Sequence, residues 1–160
     1  VNLLDTTLLS NFAHIGRLDL LRLALPQAAT TSYVVAELEK GVASGRVPAG
    51  DWQWLDVVEL TSTEETNLAD VRIVLGDGEA SCIAVALERK AGVFTDDLDA
   101  RRYARRRGIR VSGTLGVLSI LVERRCLTMA QADVCLQEMI DRGFRSPVRS
   151  LTDLGATTGT

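Results

Sequence analysis

A chain of 160 residues with 46% hydrophobic residues and a mean hydropathy of +0.12 is long and apolar enough for one folded domain with a core, which excludes a disordered tail. Its net charge of -3 excludes a global electrostatic pull on nucleic acid, so any such binding needs a local patch. A single histidine, His14, excludes two-histidine nucleases and histidine-rich metal sites, and hydrolysis by this chain has to lean on carboxylates and a hard cation.

The chain opens on Asn2-Leu-Leu-Asp5, a short apolar run ending in an acid and read as a buried strand. A helix follows over residues 6–14, with Leu8, Leu9 and Phe12 at helical spacing and Gly16 as its stop. Residues 18–24 form a second short helix, closed by Pro26, and residues 28–31 a short strand. Ser32 is read as the cap of a helix through Lys40, with Val34, Val35 and Leu38 inward, Glu37 one residue off that face and Gly41 at its end. The stretch 45–50, with Pro48 and two glycines, reads as a mobile loop. Trp52 and Trp54 read as packing at a sheet edge, with base stacking the alternative.

A strand is expected over 55–60 and a helix over 64–74, capped by Thr61 or Ser62. Then come a helix over 79–90, a strand over 92–95, a helix over 98–107 and a strand over 109–112. Residues 115–124 are apolar nearly all round and read as a buried helix. Thr128 caps a last helix with Ala132, Cys135, Leu136, Met139 and Ile140 on one stripe. Gly143 ends it, and residues 144–160 read as a loose C-terminal tail. Strands alternating with helices of this length imply a three-layer α/β/α sandwich with a mainly parallel central sheet. No apolar run reaches the length of a membrane span, no signal-peptide pattern opens the sequence, and Cys82, Cys126 and Cys135 lack paired spacing. A reducing, cytoplasmic compartment is the expectation.

In such sheets ligands bind at the carboxyl ends of the strands, and that is where the acids fall. Asp5 ends the first strand, Asp96 and Asp97 end the strand from Gly92, Glu79 opens the helix before it, and Glu37 rides the helix after the second strand. Each has a plain explanation. Asp5 and Asp97 suit helix N-caps, Glu79 suits a first helical turn, and Glu37 has Lys40 three residues on. Taken together they repel: two carboxylates about 4 Å apart cost about 4 kcal/mol at an effective dielectric near 20. Apart from Lys40 no lysine or histidine is nearby in sequence, and Mg²⁺ or Mn²⁺ is the natural partner.

These residues resemble the PIN domains. Asp5-Thr-Thr resembles their opening motif, with Thr7 where Asn or Ser is common. Glu37 within Ser32-Tyr-Val-Val-Ala-Glu-Leu resembles the second, Gly78-Glu79-Ala-Ser-Cys-Ile-Ala-Val-Ala86 the third, and Val93-Phe-Thr-Asp-Asp97 the fourth, where Asp97 matches the metal position. Gly113-Thr-Leu-Gly-Val-Leu118 is similar to a PIN subgroup often paired with antitoxins, like VapC-type toxins. The resemblance covers residues 2–142, so that 1–143 is expected as a PIN-like nuclease domain.

It implies a Mg²⁺- or Mn²⁺-dependent endoribonuclease with RNA as substrate and an antitoxin protein as partner. The implied metal ligands and catalytic residues are Asp5, Glu37, Glu79 and Asp97. Asp96 either joins them through water or caps a helix. Thr6 and Thr114 carry hydroxyls for a phosphate, a water or a carboxylate, unless Thr114 only caps the following helix. The basic run with Arg101, Arg102 and Arg105 either meets RNA or is a solvated helix face. The helix at 115–124 and the stripe at 132–140 are core first and a homodimer face second. A non-catalytic PIN-like module binding RNA or protein is the alternative function.

Overall fold

The computed structural model describes residues 1–156. Five short strands form one all-parallel sheet: β1 (Asn2–Leu4), β2 (Ala28–Thr31), β3 (Asp56–Val58), β4 (Gly92–Phe94) and β5 (Val111–Ser112), in the order β3-β2-β1-β4-β5. Around it stand α1 (Thr6–His14), α2 (Leu18–Ala24), α3 (Ser32–Ala43), α4 (Ser62–Val71), α5 (Asp77–Arg89), α6 (Leu98–Arg106), α7 (Thr114–Glu123) and α8 (Met129–Asp141). This is the expected α/β/α sandwich. Among the described residues no helix is long and apolar enough to cross a membrane.

The central strands are covered on both faces, which is why β1 sets two fully buried leucines, Leu3 and Leu4, side by side rather than alternating apolar with polar residues. The chain winds outward from β1 through β2 to β3, then returns to place β4 on the other side of β1. The strand order therefore reverses between β1 and β4, whose register pairs Leu3 with Val93 and Leu4 with Phe94. The crevice beyond their carboxyl ends is where such a sheet takes a ligand.

The helices keep the inward stripes read from their spacing: Leu8, Leu9 and Phe12 on α1, and Ala132, Cys135, Leu136 and Met139 on α8, are buried. On α4, Thr61 and Glu64 form a reciprocal capping box, and the buried Glu64 pairs with Nε of Arg89 at 2.6 Å, tying α4 to α5.

Three local readings change. Thr31, not Ser32, caps α3: its hydroxyl accepts from Val34 N at 3.2 Å. The helix also runs through Gly41 to Ala43, because the glycine's missing Cβ leaves room for Val47, whose Cγ2 would stand 2.7 Å from it. Val47 is buried there and anchors the loop read as mobile.

The segment after Gly143 is also not loose through Leu154. Phe144 packs against the core, Val148 and Leu151 are buried, and a 3₁₀ turn spans Leu151–Ala156. The Asp133 carboxylate on α8 holds it, accepting from Leu151 N at 2.8 Å and from the Ser150 hydroxyl at 2.9 Å. The rest of the expected tail, residues 157–160, lies outside the described residues.

Candidate metal centre

Asp5 leaves β1 with its N–H still paired to Phe94 O, at 3.1 Å, so its side chain starts at the crevice. The carboxylate is fully buried and held by three donors: the Thr95 hydroxyl at 2.5 Å, the Thr7 hydroxyl at 2.7 Å and Leu8 N at 3.2 Å. It is thus an N-cap, as its sequence position allowed, but a cap sunk into the interior. Burial pushes its carboxyl up to about 7, helped by repulsion from Asp96 and resisted by the hydrogen bonds.

Glu37 reaches the same region from α3. One oxygen accepts from the Thr6 hydroxyl at 2.6 Å and the other from Gly78 N at 2.8 Å. It makes no ion pair with Lys40 among the described residues. A Cβ at position 78 would fall 2.5 Å from Glu37 Oε2, so the glycine is what lets α5 present its N–H to the carboxylate.

Glu79 sits in the first turn of α5, where Oε1 accepts from Gly76 N at 3.2 Å. Burial pushes its carboxyl up to about 7, and the negative charges of Asp97, Glu37 and Asp99 push in the same direction. Asp97 caps α6 by accepting from Ala100 N at 2.8 Å. Beneath the group lies Cys82, a buried thiol raised well above its usual range by burial and then by Asp5, Glu37 and Glu79. Asp5, Glu37 and Glu79 thus act on Cys82, and Asp97 and Glu37 act on Glu79.

They do not yet converge on one point. Among the described residues no group of three acidic, histidine or cysteine side chains stands close enough to hold a metal ion. Each carboxylate is turned to its own hydrogen bond. Among the described residues, Oε2 of Glu79 and Oδ2 of Asp97 accept none. Hard oxygen donors, two of them without a partner among the described residues, in a field of like charge are of the chemical kind a divalent cation takes.

Asp96 is placed differently. Its carboxylate accepts from Thr114 N at 2.8 Å, the Thr114 hydroxyl at 2.5 Å and Asn11 Nδ2 at 2.9 Å. Burial raises its pKa, while these bonds and Arg101 act in the opposite direction. Thr114 is not the cap of α7. Gly113 holds that position without a side chain, and Asp96 caps the helix from another strand end. Of the three fates open to the Thr114 hydroxyl, the structure gives it a carboxylate; Thr6 likewise serves Glu37.

The arginines separate too. Arg101 is buried, and its Nη1 donates to Thr95 O at 3.1 Å, so it braces the end of β4 instead of lining a surface. Arg102 and Arg105 are exposed, Arg102 lying 3.8 Å from Asp99. Thr95, Thr7, Asn11 and Gly78 complete the site and were not singled out from the sequence as its scaffold. The signal available for Thr95 was a hydroxyl directly before the acid pair; Asn11, 85 positions from Asp96, offered none.

Two open clefts flank the acids. One, of about 320 Å³, is bounded by Thr6, Glu37, Lys40 and Arg46. The other, of about 450 Å³, is bounded by Asp97, Asp99, Arg102 and Arg145. A separate apolar cavity of about 640 Å³ is lined by Leu38, Trp52 and Leu55, which places Trp52 in packing.

Acids from four segments at the switch point of a parallel sheet define an α/β domain with a carboxylate centre suited to hard cations. A family model described as a PIN domain matches residues 2–156, and the chain belongs to that family. PIN domains are generally nucleases that act on RNA and typically use divalent metal ions. A search among curated proteins found no match.

Proposed function

We propose that this PIN domain is a Mg²⁺- or Mn²⁺-dependent endoribonuclease in which Asp5, Glu37, Glu79 and Asp97 hold the metal. The observation that carries the reading is the placing of Glu79 among other acids: burial first, and then the carboxylates of Asp97 and Glu37, brought in by α6 and α3, push its pKa up to about 7. Four acids assembled against their own repulsion make physical sense when a cation neutralises them.

A divalent cation held there supplies charge neutralisation at the scissile phosphate and a bound water acidic enough to attack near neutral pH. The chain's own residues set the stage. Thr6 and Gly78 N fix Glu37, Thr95 and Thr7 fix Asp5, and Glu79 and Asp97 each keep an oxygen without a partner among the described residues. Lys40 and Arg46 on one flank, and Arg102 and Arg145 on the other, offer phosphate contacts along a strand crossing the acids. Asp96 is a positioning residue in this scheme, because the hydrogen-bond partners of its carboxylate among the described residues, Asn11 and Thr114, belong to the scaffold.

We infer further that the nuclease is the toxin of a toxin–antitoxin pair. What supports this is the likeness of residues 113–118 to the antitoxin-paired subgroup. Labelled single-stranded and hairpin RNAs incubated with Mn²⁺ test the activity. Cleavage should stop in EDTA, return with added Mn²⁺, and fall more than about 100-fold in Asp97→Asn. Cleavage that survives EDTA or this substitution defeats the reading, and RNA bound without being cut supports the non-catalytic module instead.

A further inference from the structure

The cleft of about 450 Å³ beside Asp97 has one wall that the acids do not explain. Gly143, at φ +109°, turns the chain sharply after α8, and Phe144 N donates back to Met139 O at 2.9 Å. That turn sets Phe144, half-buried, and Arg145, exposed, on the same cleft as Leu98, Asp99 and Arg102 of α6. Leu98 is 66% exposed in the first turn of its helix, an apolar side chain with no core to fill.

The composition of this wall is specific. It combines an aromatic ring and an aliphatic side chain with two guanidinium groups, in a volume within the range of about 300–1,000 Å³ typical of small-ligand pockets. An apolar surface with cations on the same cleft is what a nucleotide needs: a face for the base and charge for the phosphate. The acids on the α6 side settle its orientation. Asp96, Asp97 and Asp99 border the cleft and repel a phosphate placed on them, so the phosphate goes to Arg145 and to Arg102, which it would draw away from Asp99, 3.8 Å distant, and the base goes to Leu98 and Phe144.

We propose that this cleft is the subsite for the nucleotide adjoining the scissile phosphate, with Phe144 and Leu98 receiving the base and Arg102 and Arg145 its phosphate. The assignment rests on the ribonuclease reading above. Phe144 and Arg145 then set affinity and base preference, while the acid centre sets the rate.

The test combines binding and cleavage. Fluorescent single-stranded homopolymeric RNAs are titrated into the protein in EDTA, where nothing is cut, and the same RNAs are then cleaved in Mn²⁺. The variants are Phe144→Leu, which keeps the apolar packing and removes the ring, Arg145→Ala and Leu98→Ala. Arg149→Ala, on the same segment but away from the cleft, is the control, and melting curves check that each protein is folded.

Phe144→Leu and Arg145→Ala should each weaken RNA binding about 10-fold. Both should raise KM with kcat within about twofold of wild type. Phe144→Leu should flatten the preference among bases, and Arg145→Ala should reduce the salt slope of binding by about one. Mn²⁺ affinity should not change in either. Wild-type binding and cleavage patterns in both variants overturn the subsite and leave the ribonuclease reading standing. RNA binding that depends on Phe144 and Arg145 in a protein that cuts nothing supports the subsite while the nuclease reading fails.

Discussion

At Gly78 a hydrogen atom stands where any other residue would place carbon 2.5 Å from Oε2 and 3.0 Å from Oε1 of Glu37. The same residue's N–H, at 2.8 Å, is one of the two donors fixing that carboxylate. Gly78→Ala should therefore push Glu37 out of place without changing any charge. Overpacking of this kind costs about 1–3 kcal/mol, and the displaced acid should weaken Mn²⁺ binding at least about 10-fold. Urea denaturation and calorimetric titration with Mn²⁺ measure the two effects separately. An alanine variant with wild-type Mn²⁺ affinity would remove Glu37 from the metal site. Thr95 illustrates the same dependence on small groups: one hydroxyl donates to Asp5 at 2.5 Å and accepts from Asp97 N at 3.1 Å, linking two of the acids.

Adjacent acids at the end of β4 serve different helices. Asp97 caps its own α6, and Asp96 caps α7 from a distance by accepting from both the amide and the hydroxyl of Thr114. Neutralising each to asparagine keeps a capping oxygen and removes one charge. Asp96→Asn should destabilise the fold by about 1–2 kcal/mol, since it weakens a buried charge-assisted network, while retaining Mn²⁺ binding. Asp97→Asn should do the reverse, losing Mn²⁺ affinity with little loss of stability. Identical behaviour of the two variants in chemical denaturation and calorimetry would contradict this division of labour.

The two aspartates also show how far the sequence could be read. Each acid motif, the parallel sheet and the helix stripes follow from local spacing, because strand ends and helix starts are local events. That Thr114 is served by Asp96 and not by its own hydroxyl is a tertiary fact about β4 and α7, and Gly113 conceals it by leaving the cap position empty. Arg101 misleads for a related reason. It sits in a basic run on an amphipathic helix, yet its position on α6 turns it inward to Thr95 O. The segment after Gly143 lacks a periodic stripe, and its anchor, Asp133, lies 18 positions before Leu151.

For the molecule as a whole, the buried acids couple folding to protons and, on the metal-site proposal, to metal. Asp5 and Glu79 are both pushed up to about 7, from ordinary carboxyl values of 3.8 and 4.5. Between those values and about 7 the folded protein holds protons that the unfolded chain has already released. Stability of the metal-free protein therefore falls as pH rises through this window and levels off above it. Glu64 works in the opposite sense. Arg89 holds its pKa below normal, so the stability it contributes is lost only as pH falls through that lowered value, below the window. On the metal-site proposal, a divalent metal would reverse the trend, because it would bind the deprotonated acids and compete with their protons. In EDTA the melting temperature should drop by at least about 3 °C between pH 5 and pH 8, the shift that about 1 kcal/mol gives a domain of this size. The extra stability from Mn²⁺ should be small at pH 5 and grow through pH 7, reaching about 2.7 kcal/mol where Mn²⁺ is at about 100 times its Kd. Glu79→Gln should reduce the slope of the EDTA profile to the share that Asp5 contributes and shrink the Mn²⁺ increment with it, since Glu79 contributes to both. Melting temperatures in EDTA that climb steadily from pH 5 to pH 8 would mean that these acids are folded in their charged form, as ordinary caps, with no need of a cation.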